Sequence, residues 1–297
     1  MQIHTIDLEF QGTGGLIASF LIESGDGLIL IEPGPGSTCE TLVRKIGELG
    51  HTQSDVRSVF ITHAHLDHAG CGGWWAQAGA DLYVHPKASR HLIDPSKLVE
   101  SARGVFGDAF DSLWGEMLPA PEAKVHTLED GETVTIGELE IEAINTPGHA
   151  FHHHAFAIGD TAFVGDAAGV CLAGTDYISV TSPPPAFHLE SCLSSIDRLA
   201  GRNFSTIHLT HFGIIEGVAD HLARYRAEVA GAAEVVRGLI ADGNDSEAIR
   251  VAYQAFQMEQ AYRAGLPRER WDDYQAINST DMCADGLRTY WERESKP

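Results

Sequence analysis

No stretch of this 297-residue chain approaches the roughly 18 consecutive apolar residues that a membrane span needs, so no membrane partner is expected. The opening MQIHTIDLEFQGTGG has no basic patch and no apolar h-region. It therefore gives no sign of an export signal, and a cytoplasmic location is expected. Basic residues are scarce as well: 20 Lys and Arg stand against 42 Asp and Glu, for a formal charge of −22. A nucleic-acid site needs a basic face to displace counterions, and the few cations form no cluster, so nucleic acid is not an expected partner. Cysteine is thin and unpaired in pattern. Cys39, Cys71, Cys171, Cys192 and Cys283 are odd in number and never form a CxxC. Neither a disulfide framework nor a thiolate zinc site is expected, and the five read as reduced, mostly buried small side chains. Hydrophobic residues make up 43% and charged residues 21% of the chain. That is ordinary globular composition, enough for one large domain or one domain with an appendage.

What the chain does have is histidine: 16 residues, of which 15 lie before residue 212. Over that stretch the sequence reads as short strands broken by glycine turns. Alternating or apolar runs stand at 3–10, 16–23, 28–32, 56–61, 81–84, 133–136, 139–144, 154–158, 161–164 and 206–209. Helical patterns fall at 38–49 and 189–199. Many short strands with interspersed helices suggest two sheets packed face to face and covered by helices. Two segments break the plan. Residues 86–123 look helical, with Phe106, Phe110, Trp114 and Met117 at helical spacing. They could form an apolar lid, a packing face or a dimer surface. From about 215 onward Ile215, Val218, Leu222, Tyr225, Val229, Ala232, Val236 and Leu239 step by three and four, which predicts a helical extension. Thr181–Pro185 (TSPPP) is a stiff loop that cannot be a central strand.

The chemistry concentrates in Thr62-His63-Ala64-His65-Leu66-Asp67-His68-Ala69-Gly70, directly after the apolar run SVFI. In a chain still extended after a strand, alternate residues share a face, so His63, His65 and Asp67 can point the same way. Four donors within six residues are hard to explain as packing. Three further donors each stand just past a strand: His149 after IEAIN and a Thr-Pro-Gly turn, Asp166 after TAFVG, and His211 after TIHLT. Five histidines and two carboxylates can serve two metals with one carboxylate shared. Imidazole and carboxylate without thiolate suit zinc, with iron or manganese as alternatives.

This pattern resembles the metallo-β-lactamase superfamily over residues 1 to about 215. His63, His65, Asp67 and His68 match its His-x-His-x-Asp-His motif, His149 its Pro-Gly-His turn, Asp166 its Gly-Asp, and His211 its last histidine. The resemblance implies an αββα sandwich over residues 1–214, interrupted by the helical insertion at about 86–123 and followed by a helical extension at 215–297. It implies that His63, His65 and His149 hold one metal, that Asp67, His68 and His211 hold a second, and that Asp166 bridges both. Asp67 would also orient the nucleophile or relay its proton. Glu32, in IEPGPG, stands where relatives often carry Asp and would support the motif from behind. Histidine at 68 is similar to the glyoxalase II and lactonase branches. His153 matches a second histidine common in the family and reads as a supporting or substrate-facing group. Tyr177 follows Asp166 at a longer spacing than the tyrosine of some lactonase relatives and is a candidate substrate contact; His85 and His188 are weaker candidates.

The resemblance thus implies a hydrolase that acts on a small thioester, lactone, ester or amide through a hydroxide bridging two divalent ions, with a homodimer possible. The alternatives are a mono-iron persulfide dioxygenase, a phosphodiesterase, or a non-catalytic binding module.

Overall fold

The computed structural model describes residues 1–295. The chain divides into two compact units, Met1–Asn145 with His152–Gly165, and Thr146–Phe151 with the chain from Asp166 onward.

The first unit is a two-sheet sandwich. One sheet runs in the order β1 (Ile3–Asp7), β2 (Ala18–Ser24), β3 (Gly27–Ile31), β4 (Val56–Ile61), β5 (Asp81–Val84) and β6 (Val125–Thr127). The first three strands are antiparallel, and β3 to β6 pair in parallel. A parallel pair needs a crossover. Helix α1 (Cys39–Glu48) supplies one between β3 and β4, and the short α2 (Leu66–Ala69) and α3 (Gly72–Gln77) lie between β4 and β5. The second sheet is an antiparallel meander of β7 (Thr133–Ile136), β8 (Leu139–Asn145), β9 (His154–Ile158) and β10 (Thr161–Gly165). Aromatic pairs join the two faces. Phe20 meets Phe163 at 5.3 Å between ring centroids, and Phe60 meets Phe156 edge-on at 5.1 Å. All four rings are fully buried, and each such burial contributes about 1.5–3 kcal/mol.

The insertion is helical, as its spacing predicts, but it is not one helix. It forms α4 (Pro86–Ile93), α5 (Ser96–Phe106) and α6 (Phe110–Trp114). Gly107 and Gly115 end α5 and α6 with positive φ, and a Cβ on Gly115 would lie 2.5 Å from the Ser37 nitrogen. Phe110, Trp114 and Met117 are buried, and Trp114 stacks on Phe10 at 5.5 Å. Their apolar faces therefore pack within the first unit.

Cysteine departs from expectation. Cys39 and Cys71 form a disulfide, with Cα atoms 5.9 Å apart, and the other three are free. The pairing is tertiary: 32 residues separate the two thiols, so spacing alone gives no signal.

The second unit contains α7 (Leu189–Ala200), the hairpin of β11 (Thr206–Leu209) and β12 (Gly213–Ile215), and four helices, α8 (Val218–Ala241), α9 (Ser246–Arg263), α10 (Trp271–Ile277) and α11 (Thr280–Glu294). The predicted stripe is the buried face of α8 from Val218 to Val236. Its first member, Ile215, belongs instead to β12, and Leu239 is only half-buried. Arg226 on α8 meets Asp197 on α7 at 2.7 Å, and Arg250 on α9 meets Asp285 on α11 at 2.6 Å. Among the described residues no helix is long and apolar enough to cross a membrane.

Candidate functional site

In the first unit the donors are set by the end of β4. The chain leaves the sheet at Thr62, bends through His63–His65 and enters α2, which carries Asp67 and His68. Glu32 organises this bend. It sits at the end of β3 with its backbone in the left-handed region (φ +63°) and is wholly buried. A non-glycine residue holds that conformation only where its surroundings over-determine it. Here the Glu32 amide donates to Phe60 O at 2.9 Å, and the Ser19 hydroxyl donates to Glu32 O at 2.5 Å.

The Glu32 carboxylate then collects three donors. Thr62 N–H reaches Oε1 at 2.8 Å, the Thr62 hydroxyl reaches Oε2 at 3.1 Å, and His68 Nδ1–H donates to Oε2. A buried carboxylate is tolerable only when it is hydrogen-bonded in this way. The chain of bonds also fixes tautomers. With the Thr62 hydroxyl donated to Glu32, its oxygen accepts the Nδ1 proton of His63 at 3.0 Å. Both His63 and His68 therefore present Nε2 as the electron-pair donor, the arrangement that outer carboxylates and hydroxyls impose on metal-ligating histidines. His63 Nε2 lies 2.8 Å from His65 Nδ1, and His68 Nε2 lies 3.5 Å from Asp67 Oδ2. Glu32 thus stands behind the motif, where the resemblance places it.

His152 and His153 border the same bend. The Ala64 amide donates to His152 Nδ1 at 3.5 Å. The His153 ring lies 4.9 Å from that of His63. A Cβ on Gly165 would come within 2.5 Å of Thr62 Oγ1 and 2.7 Å of His153 Nε2, so only glycine fits there. His154 packs edge-on against His85 at 4.5 Å, and burial pushes the His85 imidazole down to about 4.

The second unit places its three donors together although they are far apart in sequence. Asp166 is the hub. Its Oδ2 faces His149 Nε2 at 3.3 Å, and its Oδ1 faces His211 Nε2 at 3.6 Å. One carboxylate thus spreads its two oxygens between two imidazoles. His149 Nδ1–H donates to the Thr181 carbonyl at 3.3 Å, which turns Nε2 toward Asp166. Tyr177 is in this unit too. It borders a cavity of about 350 Å³ beside Arg224, Glu228 and Arg263. Its hydroxyl is donated to Gln257 Oε1 at 2.6 Å, and burial pushes that phenol up to about 12. His188 caps the start of α7, accepting from Ser191 N–H.

Every donor expected from the sequence therefore stands in one of two clusters, His63, His65, Asp67 and His68 in one unit and His149, Asp166 and His211 in the other. These are His and Asp groups of the kind that could hold a metal ion. The donor chemistry fits: imidazole nitrogens oriented by outer hydrogen bonds, beside carboxylates, with no thiolate among them. Thr62 and Thr181 escape sequence reasoning. Thr62 adjoins the motif, and its hydroxyl is the one available signal; Thr181 sits in a loop that reads only as stiff.

The profile of the Metallo-beta-lactamase superfamily matches residues 12–211, a span that includes all seven donors. The chain belongs to this superfamily. Individual proteins are similar to it as well. A metallo-beta-lactamase fold-containing protein, ST1585, of Sulfurisphaera tokodaii is 28% identical over 161 residues, which cover 53% of this chain and 60% of that protein. Thioesterase pkgB of Emericella nidulans is 26% identical over 220 residues, 73% of this chain and 51% of that protein. The chain thus spans between half and two thirds of the length of these two relatives. Among solved structures, a metallo-beta-lactamase family protein from Thermus thermophilus superposes with a TM-score of 0.67 at 19% identity, covering 98% of this chain and 93% of its own. The crystal structure of ST1585 gives a TM-score of 0.60 at 23% identity, covering 75% and 85%. These likenesses establish the αββα metallo-β-lactamase sandwich with its helical extension.

Proposed function

We propose that the chain is a metal-dependent hydrolase of a small carbonyl substrate, with His63, His65, Asp67, His68, His149, Asp166 and His211 holding two divalent ions. The observation that carries the reading is Asp166, whose two carboxylate oxygens are divided between His149 and His211. A carboxylate shared in this way is what a bridging ligand requires. When bound, two such ions, best zinc for this donor set, would supply an activated water at neutral pH and polarise the substrate oxygen.

The protein's own groups do the rest. Glu32 and Thr62 hold the imidazoles in one tautomer. Asp67, on α2 beside His68, would orient the nucleophile or relay its proton after attack, a role that needs a carboxylate within hydrogen-bond reach. The catalytic part is residues 1–214 and the extension 215–297, acting in the cytoplasm as a monomer or homodimer. The likeness to a thioesterase puts thioesters first among candidate substrates, ahead of lactones, esters and amides.

Elemental analysis of protein purified without chelators, with turnover of thioester and lactone panels, tests this. About two zinc per chain with hydrolysis in one panel is the expected result. One iron per chain with oxygen uptake on a persulfide would replace it by dioxygenase chemistry.

A further inference from the structure

One loop of the second unit, residues 179–182, ties its last helices to the candidate metal-binding donors. Asn278, just after α10, donates from Nδ2 to Ser179 Oγ at 2.8 Å and to Val180 O at 3.0 Å. On α11, the Cys283 thiol donates to Val180 O at 3.3 Å, and its backbone carbonyl accepts the Ser182 hydroxyl at 3.0 Å. A Cβ on Gly286 would stand 1.7 Å from Ser182 O, so the helix backbone lies directly on the loop and only glycine allows it.

Between these anchors is Thr181, which is buried. Its carbonyl accepts His149 Nδ1–H at 3.3 Å, its hydroxyl donates to Asp166 O at 3.2 Å, and Tyr225 Oη on α8 lies 3.5 Å from that hydroxyl. One residue therefore touches two of the three donors. The other side of the His149 turn is held by α7. Ser195 donates to Pro147 O at 2.6 Å, and a Cβ on Gly148 would meet Cys192 Cα at 2.3 Å. His149 is thus caught between α7 and a loop that α8, Asn278 and α11 keep in place.

We propose that Thr181 is a positioning residue for His149 and Asp166, and that α10 and α11 set the geometry of these donors through it. The proposal rests on the metal-binding role given to them above. The carbonyl fixes the His149 tautomer and ring direction; the hydroxyl fixes the backbone from which Asp166 projects. Outer partners of this kind govern metal affinity as well as activity.

The test uses the full chain with Thr181→Val, Thr181→Ser and Gly286→Ala. Zinc affinity is read by competition with a chromophoric chelator, and the melting temperature is read in EDTA. Thr181→Val should lose about 10- to 100-fold in zinc affinity while its metal-free melting temperature stays near that of the wild type. Thr181→Ser should recover most of the loss, which a purely structural role would not require. Gly286→Ala should also weaken zinc binding. Wild-type zinc affinity in a folded Thr181→Val, or no recovery in Thr181→Ser, overturns the proposal alone. A wild-type chain that binds no zinc, iron or manganese overturns it together with the metal reading.

Discussion

In the first unit four donors follow one another within residues 63–68, and one buried carboxylate, Glu32, ties the backbone of the preceding Thr62, His68 directly and His63 through the Thr62 hydroxyl to the end of β3. In the second unit three donors are spread from residue 149 to residue 211, and their order comes from loops clamped by helices. The same kind of donor is thus built in two ways. A short motif after a strand needs little beyond the local chain and one supporting acid. Dispersed donors need a tertiary frame, and Asp166 with Thr181 is where that frame meets the chemistry.

The contrast can be broken most severely at the donors themselves. His65→Ala and Asp166→Asn should each lower kcat/KM by more than about 100-fold, beyond the 10- to 100-fold typical of an outer partner, and each should reduce bound zinc. Circular dichroism should show both variants folded. Retention of full activity in either would remove that donor from the site.

Glu32→Gln sharpens the comparison. It keeps the shape but cannot accept from Thr62 and His68 with a full charge. Zinc affinity should drop by about 10- to 100-fold, and the same change at an exposed glutamate such as Glu48 should do nothing. Equal affinities in the two variants would show that the motif orders itself without Glu32.

A smaller effect is expected from acid, and it falls on both units alike. His85 in the first and His208 in the second are each pushed down to about 4 by burial. The unfolded chain takes up their protons near pH 6.5, the folded chain only near 4. Their contribution to stability is therefore intact above about pH 6.5 and is lost as pH falls toward about 4. Melting temperature measured from about pH 7 down to about pH 4 should decline, and His85→Gln or His208→Gln should flatten part of that decline. A variant profile parallel to that of the wild type would show that the imidazole in question does not titrate as described.

The least effect belongs to the helices' surface. Arg250→Ala removes the partly exposed pair with Asp285 and should cost about 0.2–1 kcal/mol in urea unfolding. Zinc affinity should be unchanged, because neither residue takes part in the hydrogen bonds that anchor residues 179–182.

Much of this was legible in the chain. The motif at 63–68, the strand-end placing of His149, Asp166 and His211, and the buried stripe of α8 follow from periodicity and from donors clustered after apolar runs. Those signals are local, and local geometry carries them. The insertion was legible as helical but not as three helices, because its breaks, at residues 94–95 and at Gly107 with its positive φ, are not marked by apolar spacing. The Cys39–Cys71 bond was invisible for a related reason, since no pattern across the 32-residue separation announces that its ends meet.

Sequence by itself determined the superfamily and set out the seven His and Asp residues that could hold a metal ion, since residue type and order suffice for these. Tertiary structure alone decided which tautomer His63, His68 and His149 present, how Asp166 divides its oxygens, and that Thr181 links two donors to helices about 100 residues further along. Hydrogen-bond direction and close backbone approach depend on which surfaces meet, and that is settled only when the chain has packed.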